Sequence, residues 1–389
     1  MYNDIILSCK NKVFKIDTMK YIYADNAATT KIDPRVLDEM MPYLKETFAN
    51  PSSIHSMGQR SRRAIDRSRE CIASYIGCDI QEIVFTSGGT ESNNLAIKGM
   101  TLKNKGHVIT SAIEHDSILK PISEISENRH ITYINPDSMG HISTEDVKNN
   151  IRDDTVLISI IHANSEIGTL QDIKTISQIA HEKGIPVHTD AMQSFKYENI
   201  METDADLITF GSHKIHGPKG IGALYIKRQT QIKPMITGGE QEYKMRGGTE
   251  STALIVGFAK AVEILKNERE ERYKYVKNLQ SEFEKEILSQ IPGSRINGGE
   301  EKLPDISNIY LKDILAETLL INLDREGIEA SAGSACTALS IEPSHTLKAI
   351  GMTDDDAKRA IRFSFSHENT TEDIHTILKV IYKIHKAQF

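Results

Sequence analysis

The stretch Phe210-Gly-Ser-His-Lys-Ile-His-Gly-Pro-Lys-Gly220, centred on Lys214, decides how this chain is read. It follows the apolar, β-branched run Leu207-Ile-Thr-Phe210, which predicts a buried strand, and it breaks up at Gly217, Pro218 and Gly220. A lysine just past a buried strand, beside Ser212, His213 and His216, is not on an ordinary solvated face. Desolvation and neighbouring cations lower a lysine's pKa, and the neutral amine can form an imine with an aldehyde. Taken alone, the motif is more economically read as a surface lysine in a Gly-rich turn. What stands at the ends of the other strand-like runs reverses that reading.

Working outward, strand-like runs occur at Ile83–Thr86, His107–Thr110, Ile131–Asn135, Thr155–Ile161, Pro186–Asp190, Leu207–Phe210 and Gly222–Lys227. Helical patterns such as Ser92–Lys103, Ser117–Asn128 and Ile173–Lys183 separate most of them. This alternation predicts a largely parallel sheet covered on both faces, an α/β fold, with one antiparallel member among the last runs. A charged amphipathic helix over about Ser251–Leu288 reads as a connector. After Pro292 the pattern resets to a smaller α+β unit with Ile306–Leu311, Ala316–Glu326, Ile328–Ser331, Ile361–Ser366 and a terminal helix from Thr371. The expected division is a large domain over 33–265 and a small domain made of 19–32 and 266–389. Residues 1–18 are expected to be an N-terminal extension, since Met19-Lys-Tyr-Ile-Tyr-Ala-Asp25 reads as an ordinary beginning.

Ligands gather at the carboxyl ends of parallel strands, so those ends are where chemistry is sought. After Ile83–Thr86 comes Ser87-Gly-Gly-Thr-Glu91, where Gly89, Thr90 and the free N–H groups of a helix start suit a phosphate. After His107–Thr110 comes Glu114-His115, whose imidazole could stack on a flat ring. Ala163-Asn-Ser-Glu-Ile-Gly168 places Asn164 where it could bond a phenolic oxygen or a carboxylate. Asp190, in His188-Thr-Asp-Ala-Met-Gln193, is a costly buried carboxylate unless it meets a cation or a donor. A protonated pyridine nitrogen would serve, as an electron-sink cofactor requires. Phosphate cradle, ring stacker, pyridinium partner and imine lysine thus fall in order on one sheet edge, and the joint pattern indicates pyridoxal 5'-phosphate.

Cys336 sits in Ser331-Ala-Gly-Ser-Ala-Cys-Thr-Ala-Leu-Ser340. Its Gly, Ala and Ser flanks suit a mobile, exposed loop with a reactive thiol better than a packed core. Cys71 and Cys78 read as packing residues, and Cys9 lies in the extension. The four cysteines form neither a zinc pattern nor a disulfide framework, so no metal is expected and the thiols are expected to be reduced. A formal net charge of −7 argues against a nucleic-acid surface. No apolar run approaches the roughly 18 residues of a membrane span, and Ile5-Ile-Leu7 behind Asp4 is not a signal-peptide core. A cytoplasmic protein is expected.

From about Tyr21 to the C-terminus the chain resembles the cysteine desulfurases of the NifS/IscS type, within the fold-type-I pyridoxal phosphate enzymes of the class V aminotransferase family. The resemblance is carried by Ala24-Asp-Asn-Ala-Ala-Thr-Thr30, Asn50-Pro-Ser-Ser-Ile-His55, Thr86-Ser-Gly-Gly-Thr-Glu-Ser-Asn-Asn94 and Asp190-Ala-Met-Gln193. It continues through Ser212-His-Lys-Ile-His-Gly-Pro-Lys-Gly220, Gly238-Gly-Glu-Gln-Glu242, Gly333-Ser-Ala-Cys336 and Ile361-Arg-Phe-Ser364. The resemblance implies that Lys214 holds the cofactor and acts in catalysis with His115 and Cys336. Asp190 would pair with the pyridine nitrogen, Gln193 with the ring oxygen, and His115 would stack on the ring. Gly89, Thr90, Ser212 and His213 would surround the phosphate, with Thr249 arriving from a partner subunit and so implying a homodimer. Arg362 would bind the substrate carboxylate, helped by Asn164 and Asn26. The implied reaction takes sulfur from L-cysteine, leaves a persulfide on Cys336 and releases alanine, the sulfur then passing to an acceptor protein for iron–sulfur cluster assembly or for tRNA or cofactor thiolation. Ser165 and Gly247 depart from the family, which commonly has Asn and Ser there. Selenocysteine lyase, an aminotransferase of the same fold and a catalytically silent scaffold are the competing readings.

Overall fold

The structure is a computed structural model describing residues 21–102, 105–333 and 343–386. Cys336, Cys9 and the 1–18 extension therefore lie outside the described residues. The strands, in chain order, are β1 (Ile22–Tyr23), β2 (Ile83–Thr86), β3 (His107–Ser111), β4 (Ile131–Ile134), β5 (Thr155–Ser159) and β6 (Val187–Asp190). They continue with β7 (Leu207–Gly211), β8 (Gly222–Ile226), β9 (Arg295–Asn297), β10 (Ile306–Tyr310), β11 (Ile328–Glu329) and β12 (Ala360–Ser364).

Seven of these form one sheet in the order β2-β8-β7-β6-β5-β3-β4. From β7 to β4 all pairings are parallel, and β8 runs antiparallel to both of its neighbours. Side-chain alternation along each strand feeds two separate apolar layers. Ile83, Phe85, Ile109, Ile158, Ile208 and Phe210 point to one face, against the helices Ser56–Ile76 and Ile173–His181. Val84, Val108, Leu157, Leu207 and Leu224 point to the other, against Gly89–Thr101 and Asp116–Ser126. Strands buried on both faces explain why these runs read as continuously apolar.

A second, three-stranded antiparallel sheet in the order β12-β10-β9 has its own core of Ile309, Leu319, Ile361, Phe363 and Ile377, and Ile22 and Ala24 join that core. The 39-residue helix Thr252–Gln290 links the two. Its first half buries Phe258, Val262 and Leu265 in the first core, and its second half buries Val276, Phe283 and Ile287 in the second. The charged turns between, Lys266 to Arg272, contribute no residue to either core. No described helix is long and apolar enough to cross a membrane.

Candidate active site

The exits of the parallel strands converge on one cavity of about 240 Å³. The exit of β2 crosses close over β8: Gly88 has φ 150°, and a Cβ at Gly222 would come within 2.8 Å of the Gly88 Cα. Only glycine tolerates both conditions, and the crossing aims the start of the helix Gly89–Thr101 at the cavity. Gly89 and Thr90 line it, presenting N–H groups that have no acceptor within the helix. His115 leaves β3 as the N-cap of Asp116–Ser126, its Nδ1 accepting from the Ser117 N–H at 3.1 Å. The preceding Glu114 is fully withdrawn from water. Its Oε1 accepts from Ser111 Oγ (2.5 Å) and from the Ile161 N–H (2.8 Å), which ties the β3 exit to the β5 exit. Burial pushes this carboxyl up to about 8, so it carries a proton at neutral pH.

Asp190 ends β6, nearly buried, with Oδ1 accepting from the Met192 N–H (2.9 Å) and Oδ2 from Asn93 Nδ2 (2.7 Å). Its carboxylate is thereby aimed into the cavity with further lone pairs available to a cationic partner. Gln193 donates to the Ala27 carbonyl at 2.8 Å. Lys214 lies just past β7, and its Nζ donates to that same carbonyl and to Ala28 O at 2.8 Å. Burial first, then the Lys196 and Arg362 charges, lower its pKa to about 7, against the opposing pull of Asp25 and Asp190. Lys196 is itself buried, paired with Asp305 and 3.4 Å from Gln193 Oε1. Half of the Lys214 amine is thus unprotonated near neutrality, where an ordinary lysine would be almost wholly charged. Uptake of pyridoxal phosphate by the cofactor-free chain is expected to rise with pH through a midpoint near about 7. Stopped-flow absorbance across pH 5–10 checks this, and a midpoint near the ordinary lysine value would contradict it.

Arg362, from β12, is 1% exposed and reaches the cavity wall from the second sheet. Nη2 pairs with Asp25 Oδ1 at 2.6 Å and Nη1 donates to Ser165 O at 2.8 Å. Its Nε, like Ser212 Oγ and Asn93 Oδ1, is buried without a protein partner. His213 also lines the cavity, its Nδ1 3.2 Å from Thr29 Oγ1, and burial with the Lys214 charge lowers its pKa to about 3.

Of the residues the sequence singled out, the cavity wall contains Gly89, Thr90, His115, Asp190, Gln193, His213, Lys214 and Arg362. Ser212 does not line it, and its hydroxyl is buried beside Gly217. Asn26 and Asn164 do not line it, contrary to the expectation of substrate contact. The Asn26 amide donates to Ser364 O (2.9 Å) and Tyr23 O (3.2 Å), and Asn164 holds Ile113 O, Glu166 N–H and Ile167 N–H. Asn164 closes its own turn, while Asn26 ties its segment to Ser364 and Asn369 across the chain. Thr249 is exposed, in a separate cleft with Ser87, Gly220 and Arg246. Sequence reasoning missed Asn93, Ser117, Met192 and the Ala27-Ala28 carbonyls, all of which belong to the wall or to its hydrogen bonds, and it named Ser165, which also lines the wall, only as a departure from the family. Only Asn93 gave a signal, as a polar residue in the first turns of a helix on a buried face. The described cysteines do not suit nucleophilic work: burial raises the Cys71 thiol and pushes Cys78 up to about 12.

The residues present fit pyridoxal phosphate. A helix start and His213 suit its phosphate, the Asp190 carboxylate its ring nitrogen, and the depressed Lys214 amine its aldehyde. Comparison with known proteins agrees. The model of the aminotransferase class-V family matches residues 22–377. Cysteine desulfurase IscS of Dictyoglomus turgidum is 44% identical, the match covering 93% of this chain and 94% of that protein. Cysteine desulfurase IscS of Methanosarcina thermophila is 41% identical over 94% of this chain and 92% of its own. Among solved structures, a NifS-like protein superposes with a TM-score of 0.88 at 34% identity, covering 94% of this chain and all of its own. The structure titled SspA in complex with cysteine gives 0.80 at 39%, covering 88% and 98%. With that likeness spanning nearly its whole length, the chain belongs to the pyridoxal-phosphate-dependent class-V aminotransferase family, as a cysteine desulfurase of the IscS/NifS type.

Proposed function

We propose that this chain removes the sulfur of L-cysteine, releases L-alanine and holds the sulfur as a persulfide on Cys336 for transfer to an acceptor protein. The observation that carries the reading is the meeting, on one cavity, of a lysine amine titrating near about 7 with a buried arginine from the second sheet. Thr90, Ser212, His213 and the helix start would hold the cofactor phosphate, Asp190 its ring nitrogen, Gln193 its ring oxygen and His115 its flat face. Bound there, the cofactor supplies an electron sink for a carbanion at the substrate Cα.

Arg362 binds the substrate carboxylate through hydrogens not already given to Asp25 and Ser165, a charge-assisted contact in a dry setting. Asp25 keeps that guanidinium from being an isolated buried charge. Lys214 Nζ takes the Cα proton, which requires the neutral amine that its surroundings favour. The Cys336 thiolate then attacks the substrate sulfur. A sulfur–sulfur bond forms, the Cβ–S bond breaks, and a proton completes the alanine methyl. Cysteine plus thiol gives alanine plus persulfide, with no external oxidant.

The same reading makes the working unit a cytoplasmic homodimer. Thr249 is exposed and outside its own chain's cavity, which suits a phosphate contact given to the partner subunit. The mass of the assembly in solution is the check. A large unit over 33–265 and a small one of 19–32 with 266–389, carrying Cys336, fit the two cores. The acceptor belongs to iron–sulfur cluster assembly or to tRNA or cofactor thiolation.

The test supplies the cofactor-loaded chain with L-cysteine and dithiothreitol but no keto acid. Alanine is expected to accumulate well beyond one equivalent per chain, with matching sulfide. No alanine would sink the desulfurase reading, and alanine that appears only with added keto acid would make the chain an aminotransferase.

A further inference from the structure

We infer that Asn93 is a positioning residue for both sides of the active site, one amide that aims the Asp190 carboxylate and fixes which nitrogen of His115 carries the proton. Resting on the proposed function above, the inference names a residue outside the resemblance-derived set. Asn93 lies in the helix Gly89–Thr101, is fully buried and lines the cavity. Its Nδ2 donates to Asp190 Oδ2 at 2.7 Å and to Ser117 Oγ at 2.8 Å. Ser117 Oγ in turn lies 2.8 Å from His115 Nδ1.

The direction of this chain follows from the chemistry of its ends. An ionised carboxylate only accepts, so the nitrogen of the Asn93 amide, not its oxygen, must face Asp190. That orientation gives the second N–H to Ser117. Because His115 Nδ1 accepts from the Ser117 backbone N–H, the serine hydroxyl, which accepts from Asn93, gives its own hydrogen to that nitrogen. The Ser117 backbone N–H reaches the same Nδ1 at 3.1 Å. Two donors on Nδ1 leave no room for a proton there, so the imidazole is neutral with its hydrogen on Nε2. Burial and the start of the helix Asp116–Ser126 favour the neutral ring as well. The charged groups facing the ring are Asp190 from the β6 exit, Lys214 from the β7 exit, Asp116 on its own helix and His345 from the helix His345–Ala349.

Removing the amide therefore disturbs two residues at once. Asp190 loses one of its two donors. Ser117 loses the donor that orients its hydroxyl, so its hydrogen is held less firmly on His115 Nδ1, the neutral ring is favoured less and the His115 titration moves to higher pH. In Ser117→Ala only the histidine arm is cut, so a smaller upward move is expected, with Asp190 undisturbed.

The experiment uses the cofactor-loaded full chain, its histidines labelled with nitrogen-15 and His115 assigned by difference against His115→Gln. In the unsubstituted protein at pH 7, His115 Nδ1 is expected to be unprotonated and Nε2 protonated. A protonated Nδ1 would overturn the inference without any variant. Asn93→Leu, of similar volume, is expected to lower kcat/KM for alanine formation by about 10- to 100-fold, the scale of a small misplacement of reacting groups. It should also move the acid limb of the pH profile, and the His115 nitrogen titration with it, to higher pH. The double variant with Ser117→Ala should show a His115 shift no larger than the bigger single one, because both act through one hydrogen-bond chain. A folded, loaded Asn93→Leu protein with an unchanged His115 titration and pH profile would overturn the inference, leaving Asn93 a packing residue. Absence of alanine from the unsubstituted protein would instead count against the proposed function, since the nitrogen signals are read without turnover.

Discussion

Lys214→Ala is expected to lower alanine formation from L-cysteine by on the order of 10⁴-fold or more, while the variant still folds and still takes up pyridoxal phosphate. The magnitude reflects two losses in one side chain, the amine that joins the cofactor aldehyde and the base that takes the Cα proton. Folding should survive because Lys214 spends its hydrogen bonds on the Ala27 and Ala28 carbonyls of a turn that other contacts hold. Thr30 Oγ1 donates to His213 O at 2.9 Å, and the His216 N–H donates to Thr30 Oγ1 at 2.9 Å. The cofactor's phosphate contacts also remain, so binding weakens rather than disappears. Lys214→Arg is expected to fail equally, because a guanidinium stays charged at every accessible pH and cannot act as the base. Absorbance of the bound cofactor with steady-state alanine assays checks both. Retention of a tenth of the activity by either variant would remove Lys214 from its role.

Cys336→Ala is expected to bind cofactor and L-cysteine normally, to show the same absorbance change on mixing, and to form no persulfide, with alanine production reduced at least about 100-fold. The two described cysteines strengthen this expectation by exclusion. Cys71 is partly buried against the long helix, its Sγ 3.8 Å from Ala259 O, and Cys78 has a thiol pushed up to about 12. Neither supplies a thiolate at neutral pH. Unimpaired sulfur transfer by the variant would assign the acceptor role to another group.

Much of this site was readable in the chain because its framework is local. A parallel strand buried on both faces must be apolar along its length, so the polar residue that ends it stands out. Asp190, Lys214 and His115 were each found that way, and the Gly-rich exit of β2 announces itself by composition. That one of the last runs is antiparallel was readable from the little helix between them, which leaves no space for a crossover, and that member is β8. The two-residue strand β1 and the three-residue β9 were not readable, since no period can be expressed over such lengths, whereas β11 was read at Ile328–Ser331, two residues longer than it is. The same holds for the short helices Thr144–Asn149, His345–Ala349 and Asp354–Ala357.

Partner choice was the other gap. Asn93 meets Asp190 across 97 positions, and Arg362 meets Asp25 across 337. Nothing in residue type or spacing selects those pairs. Asn26 and Asn164 show the converse. Each stands beside the cavity in sequence, but a short amide beside unsatisfied backbone bonds to that backbone first, Asn164 within its own turn and Asn26 to Tyr23 O and, across the chain, to Ser364 O.

The central claim is that sulfur leaves L-cysteine onto Cys336, and mass spectrometry of the loaded protein after addition of L-cysteine tests it most directly. The account predicts one added sulfur atom on the Cys336 peptide, removed by reductant, with alanine formed in matching amount. Alanine with an unmodified Cys336 would contradict it and place the sulfur release in the cavity itself, as in a lyase.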